Sequence, residues 1–374
     1  MAKDPWHFDR RALATRTLSV LTDGPAQALT MFAPRRTGKT EFLIKDLAPL
    51  AEAQGHRVIY ASFWQAPLSP LAVLLHAFEL SLKRGQFSDR MRSTALALTP
   101  KLKLSAPLPG TRVDAEIDLT SFGKKPPSDL LLYLDDLLER LARRRKPTIL
   151  LLDEIQELAK SSANAPLVAA LRTSLDKRST QLKVVFTGSS REGLAAMFSA
   201  RQAPFFHFST PLELESLGPP FVAHLIKTFR KSSGRTLKQR DMLSAFDRLH
   251  GNPYFFRNLI EVLLLDTTLS INDAVENVRS RIAIQLGYPR IWLALTPIQR
   301  ATAQALAKSE TKPMSLATRQ LIGKAMTEAA PSIARVQAAL RRLNKLGLAD
   351  TYTGRWALDD PEFAKWVCET QSRK

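Results

Sequence analysis

The sequence predicts an α/β protein: an open, mostly parallel sheet covered by helices, followed by a helical region and a small C-terminal domain. Three observations predict it. Short apolar runs recur at 28–33, 57–64, 148–154, 181–190 and 205–214, each the length of a buried strand. Helical spacing separates these runs, as a three-layer parallel domain requires. After about residue 215 the β signal fades and helical periodicity takes over. At 374 residues the chain is too long for one small core, so two or three domains are expected.

In chain order, FDRRALATRTLSVLT (8–22) has the spacing of an amphipathic helix. ALTMFA (28–33) reads as a buried strand, and TEFLIKDLAPLAEAQG (40–55) as a helix that stops at Gly55. RVIYASFW (57–64) is a second strand, and helices are expected over 67–84 and 128–145. Between those helices KLKLSAPLPGTRVDAEIDL (101–119) alternates on both sides of a Pro-Gly turn, as a hairpin inserted into the core would. TILLLDE (148–154), QLKVVFTGSS (181–190) and FFHFSTPLEL (205–214) supply the third, fourth and fifth strands. Residues 218–285 read as consecutive helices and LGYPRIWLALTP (286–297) as a Pro-containing joint. The expected domains are 1–215, 216–290 and 291–374.

The formal net charge is +19, a field that attracts polyanions such as nucleic acid, an anionic membrane surface or a nucleotide. No apolar run reaches the roughly 18 to 20 residues that span a bilayer, and the N-terminus lacks an apolar signal core. Cys368 is the only cysteine, which excludes a disulfide framework and a cysteine zinc site and fits a cytoplasmic protein.

The chemistry begins at APRRTGKT, residues 33–40. A phosphate-binding loop needs glycine so that backbone N–H groups can face the phosphates. It also needs a lysine for the β and γ phosphates, and a Ser or Thr hydroxyl for Mg²⁺. Gly38, Lys39 and Thr40 meet this, with Ala33, Pro34, Arg35, Arg36 and Thr37 forming the loop and Glu41 the first turn beyond it. The following helix points its N-terminus at the anion. Ala33 replaces the usual first glycine, a small change at a strand end. The second part is ILLLDE: four apolar residues deliver Asp153 and Glu154 to a strand end. Asp153 suits the Mg²⁺ shell. Glu154 suits activation of the attacking water.

Together these motifs resemble the AAA+ branch of P-loop ATPases, near the archaeal-type and origin-recognition-like group that grades into STAND switches. The resemblance covers residues 8 to about 265 and implies a P-loop three-layer sheet with a helical lid, ATP and Mg²⁺ as ligands, and ATP hydrolysis. It implies that Ser189, in VVFTGSS, is a first sensor, although Gly-Ser-Ser also makes a plain turn. It implies that Arg201, in LAAMFSARQAPFF, or the less well placed Arg191, is an arginine finger acting on a neighbour's ATP in a homo-oligomer; a helix-terminal cation is the simpler alternative. In LHGNPYFFRNLIEVL it implies that Pro253 contacts the base and that Arg257 is a second sensor, although Asn-Pro also starts helices. HFDRR (7–11) precedes the first helix where related ATPases border the adenine.

In the C-terminal region LTPIQRATAQALAK (295–308), MSLATRQLIGKAM (314–326) and SIARVQAALRRLNKLGL (332–348) read as helices, and ADTYTGRWALDD as a short hairpin. Three helices plus a hairpin resemble a winged helix. On the third helix Ile333, Val336, Leu340 and Leu343 share a face, with Arg335, Arg341, Arg342 and Lys345 opposite. A basic third helix suits the major groove, and Arg355 in the wing suits a phosphate or the minor groove. No short acceptor sits at a base-reading position, so weak sequence specificity on duplex DNA is expected. Two functions remain open at this point: an ATPase acting on or regulated by DNA, and a nucleotide-dependent signalling switch whose winged helix binds protein.

Overall fold

The computed structural model describes residues 4–87, 129–189, 191–199, 201, 203–308, 312–352, 355–358 and 360–372. The hairpin expected at 101–119 lies outside them.

Five parallel strands form one sheet: β1 (Ala28–Phe32), β2 (Arg57–Ser62), β3 (Thr148–Asp153), β4 (Leu182–Gly188) and β5 (Thr210–Glu213), in the order β2-β3-β4-β1-β5. The alternation of β3 shows how it is covered. Leu150 and Leu152 join one core with Leu74, Phe78, Leu134 and Leu171, while Ile149 and Leu151 join another with Leu18, Phe42 and Leu47. Both faces are therefore packed by helices, and burying each such side chain contributes about 2 kcal/mol.

The helix after the phosphate loop is not uniform. It opens as Lys39–Glu41, widens into a π-helical segment Phe42–Leu47 and closes as Ala48–Ala53. Pro49 has no N–H for the bond back to Lys45, and a widened turn accommodates that gap. The fifth strand is shorter than its apolar run. Residues 204–208 make a turn instead, and Phe205 and Phe208 pack with Phe186 and Phe198 at ring-centre distances of 5.1–6.1 Å. Apolar content alone could not separate a strand from this aromatic plug.

Four helices, Pro219–Ser233, Gln239–Arg248, Pro253–Leu265 and Ile271–Gln285, form a third core around Phe229, Phe246, Phe256 and Leu259. Trp6 and Phe8 of the N-terminal segment pack against it. The Pro-containing joint is itself a helix, Tyr288–Ala294, because Pro289 occupies the first turn, where its missing N–H costs nothing.

The C-terminal unit has helices Pro297–Ala307, Leu316–Met326 and Ile333–Lys345, then the antiparallel pair β6 (Ala349–Tyr352) and β7 (Arg355–Leu358). This is the winged-helix arrangement, with a further helix Pro361–Ser372 that the sequence reading missed. Phe363 and Val367 of that helix enter the core. Val336, Leu340 and Leu343 are buried as expected, but Ile333 is 48% exposed. It is the first residue of its helix, after the Ser332 cap, and lies beyond the packed stretch.

Candidate nucleotide site and basic face

The phosphate loop leaves β1 between two neighbours. Gly38 has φ 93°, a left-handed conformation that suits glycine, and it caps the helix that Lys39 opens. Ala33 does not need that freedom: it is buried, outside the left-handed region, and its N–H donates to Gly188 O at 3.3 Å. The alanine at this position is thus compatible with the loop. Arg36, at φ 65°, carries the strain instead. Thr37 Oγ1 donates to Pro34 O at 2.7 Å, closing the loop.

Lys39 is 5% exposed, and its ammonium donates to Ala33 O at 2.6 Å and Pro34 O at 3.1 Å. Its positive charge is therefore held inside the loop. Thr40 Oγ1 donates to Asp153 Oδ2 at 2.8 Å, which joins the loop to the end of β3. Asp153 is 2% exposed; Tyr60 donates to the same oxygen at 2.9 Å and the Thr187 hydroxyl to the other. Burial and the nearby Asp153 charge push the Tyr60 hydroxyl pKa far upward, so Tyr60 stays a donor.

Glu154 follows directly, buried at 6% and in the left-handed region at φ 59°, ψ 45°. A non-glycine residue held there by its surroundings is strained, and that strain aims the carboxylate across the ends of β3 and β4. Ser189 meets it, donating from Oγ at 2.7 Å and from its backbone N–H at 3.2 Å, both to Oε2. Gln156 Nε2 donates to the same oxygen at 2.5 Å. A Cβ on Gly188 would come within 2.5 Å of Gln156 Oε1 and 2.8 Å of Leu194, so glycine in TGSS is what lets Gln156 reach Glu154.

The other side of the loop is an ionic cluster. Arg257 donates to Glu41 Oε1 at 3.1 Å and lies 4.0 Å from Asp4. Lys45 reaches both Glu41 and Asp4 at 2.9 Å. His7 is buried, with Nε2 2.5 Å from Asp46 and Nδ1 3.9 Å from Glu41. Burial opposes its protonation, but Asp46 and Glu41 together raise its pKa to about 9. The His7 imidazole first, against burial, and then Lys45 and Arg257 bring Glu41 down to about 2. Arg10 donates to Thr37 O at 3.0 Å and Glu215 O at 3.1 Å, tying the N-terminal segment to the loop. Asn252 caps the helix that Pro253 opens, accepting from the N–H groups of Tyr254 and Phe255.

The structure thus gathers Ala33 to Glu41, Asp153, Glu154 and Ser189 at the carboxyl ends of the sheet, with Arg257 against Glu41 from the helical unit. Arg201 stands exposed in the turn after the helix Arg191–Phe198, which Arg191 opens. Sequence reading missed Gln156, Tyr60 and Thr187, and it placed Arg10 near the nucleotide only as part of HFDRR. A polar residue two positions past Glu154 was the available signal for Gln156. Tyr60 and Thr187 carry no such signal within otherwise ordinary strands.

Thr40 and Asp153 present a hydroxyl and a carboxylate side by side, hard oxygen donors of the kind Mg²⁺ takes. Among the described residues no group of three or more His, Cys, Asp or Glu side chains could hold a metal. Mg²⁺ would therefore complete its shell with phosphate and water oxygens, which fits its preference.

On the C-terminal domain Arg335, Arg341, Arg342 and Lys345 are all exposed on one helix; Arg335 pairs with Glu328 at 3.3 Å. Arg355 opens β7, at the wing. Among the described residues no helix is long and apolar enough to cross a membrane.

No family model matches the sequence, and no curated protein matches it. Among solved structures the chain is similar to the Walker-type ATPase of Pyrococcus abyssi, at 17% identity over 96% of each chain, with a TM-score of 0.66. It is similar to the ORC2 protein of Aeropyrum pernix in its ADP form, at 15% identity over 97% of this chain and 94% of that one, TM-score 0.57. The same protein in its ADPNP-ADP complexes gives 15% identity, 97% and 93% coverage and a TM-score of 0.51. At these identities the likeness establishes the fold, and it does so over nearly the whole chain.

Proposed function

We propose that this chain binds ATP with Mg²⁺ and hydrolyses it, and that the nucleotide state governs a winged-helix domain that binds duplex DNA. The observation that carries the ATPase reading is the convergence of Lys39, Thr40, Asp153, Glu154 and Ser189 at the carboxyl ends of the sheet, with Thr40 bonded to Asp153 and Ser189 to Glu154. Lys39 gives up its two loop carbonyls to face the β and γ phosphates. Thr40 and Asp153 would hold Mg²⁺, which would draw electron density from the phosphate oxygens. Glu154 accepts the proton of the attacking water. Ser189 and Gln156 keep its carboxylate in place, and Ser189 serves as the first sensor. Pro253 borders the base, and Arg257, paired with Glu41 at the rim of the loop, serves as the second sensor. The exposed Arg201 is available to a neighbouring chain in a homo-oligomer.

The DNA reading rests on the +19 charge and on four exposed basic side chains on the third helix of a winged-helix arrangement. A second reading has its own observation: Arg36 of the phosphate loop lies 4.0 Å from Asp360 of the C-terminal unit. That contact suits a STAND-type switch, in which the winged helix reports the nucleotide to a protein partner. Steady-state phosphate release with and without duplex DNA, at two salt concentrations, separates the two. DNA stimulation that collapses at high salt supports the first reading. Turnover indifferent to DNA overturns it in favour of the switch.

A further inference from the structure

The phosphate loop carries adjacent arginines that leave it in opposite directions. The guanidinium of Arg36 lies 5.7 Å from the Tyr254 ring centre and 4.0 Å from Asp360, on the side of the helical and C-terminal units. That of Arg35 lies 5.0 Å from the centre of the Trp64 ring, on the side of β2 and β3. Trp64 is fixed there. Its Nε1 donates to Glu157 Oε1 at 3.0 Å, and Glu157 is buried. Phe63, just before it, is fully buried and donates its N–H to Asp153 O at 3.1 Å. The aromatic plate under Arg35 therefore belongs to the same wall as Asp153 and Glu154.

Arg35 is a surface arginine. Its contact among the described residues is an aromatic face, and it is itself exposed. A half-exposed cation–π contact is weak. Charge-assisted bonds from a planar guanidinium to phosphoryl oxygens are stronger and can be bidentate. The cation is thus held beside the reacting position without being tied down. Arg36 cannot fill the same role, because it is turned to the far side of the loop.

We infer that Arg35 is a catalytic arginine acting within its own chain: it leaves the Trp64 ring for the γ-phosphoryl oxygens as negative charge builds on them. The inference rests on the ATPase reading above. In that reaction the water oxygen bonds to the γ-phosphorus. The bond from that phosphorus to the β,γ-bridging oxygen breaks, and its electron pair stays on ADP. The water proton passes to the Glu154 carboxylate and on to the released phosphate. Arg35 neutralises the equatorial oxygens during the transfer and exchanges no proton.

The test is steady-state ATP turnover and equilibrium ATP binding by wild type, Arg35→Ala, Arg35→Lys and Trp64→Ala. Arg35→Ala should lower kcat about 10³-fold, the size seen when a phosphoryl-transfer arginine is lost. Its ATP affinity should change less than about tenfold, which also shows that the variant is folded. Arg35→Lys should recover little, since an ammonium lacks the planar fork. Trp64→Ala should cost about tenfold in kcat, by loosening the cation's resting position. An equimolar mixture of Arg35→Ala and Glu154→Gln chains should stay inactive, because no chain then has both groups. Wild-type kcat in Arg35→Ala would overturn the inference. So would recovered turnover in the mixture, which would assign the arginine to a neighbouring chain. Absence of turnover in the wild type would defeat the ATPase reading itself, and the inference with it.

Discussion

At the carboxyl ends of the sheet Lys39, Asp153, Glu154 and Ser189 are almost withdrawn from solvent, whereas Arg335, Arg341, Arg342 and Lys345 of the C-terminal domain all stand in it. A charge taken out of water must be paired or hydrogen-bonded, so its partners disclose what it is built to face. Asp153 has three hydroxyl donors and Glu154 a serine and a glutamine. An exposed arginine meets no such demand, and its surroundings say little about its ligand. The two regions therefore support functional readings of unequal depth: residue roles in one, a charge pattern in the other.

The sharpest way to break this contrast is at Glu154. Glu154→Gln should bind ATP with near-normal affinity and turn it over about 10²–10⁴-fold more slowly. Measured single-turnover rates close to wild type would mean that another group activates the water. Gln156→Ala probes the support of that carboxylate, with an expected fall of about tenfold in kcat and little change in KM. If KM moved and kcat did not, Gln156 would belong to ground-state binding instead.

At the exposed end the expected effects are graded. If the third helix lies on phosphates, removing Arg341 or Arg342 should each lower the slope of log affinity against log salt by about 0.9. Fluorescence anisotropy with a duplex at several salt concentrations reads this. An unchanged slope in the double variant would take DNA off this face. The smallest expected effect lies in the N-terminal cluster. His7 gains its proton more readily in the folded chain, with a pKa raised from 6.5 to about 9 by Asp46 and Glu41, while Asp4, Lys45, Arg10 and Arg257 stand nearby. Stability from that pair is fully present below pH 6.5 and is lost as pH rises through about 9. The loss should be about 1 kcal/mol once solvent screening is allowed for. Thermal denaturation of wild type and His7→Gln between pH 6 and 10 checks it: the two should converge at high pH, and parallel curves would contradict the assignment.

The same contrast explains what could be read from the chain before its structure. TILLLDE announces a strand buried on both faces with acids at its end, because apolar run and carboxylates lie in one stretch. APRRTGKT is legible for the same reason: its members are consecutive and their spacing is fixed by the backbone. Tyr60 against Asp153 and Arg10 against Thr37 are meetings between segments, set by strand order and helix packing that local pattern does not encode. The run 205–214 holds the expected strand only in its second half, because apolar side chains serve a strand and an aromatic plug equally well. Ile333 misled because helical periodicity does not say where the packing partner ends.

Nucleotide binding depends most directly on the phosphate loop. Titrating ATP with Mg²⁺ into the wild-type chain and into Lys39→Ala, with heat of binding as the readout, is the measurement that decides it. The expected result is one saturable site in the wild type and binding weakened by about 100-fold or more in the variant, since the buried ammonium is the charge that faces the phosphates. Equal affinity in the two chains would contradict it, because a nucleotide that does not notice Lys39 is not bound in this loop.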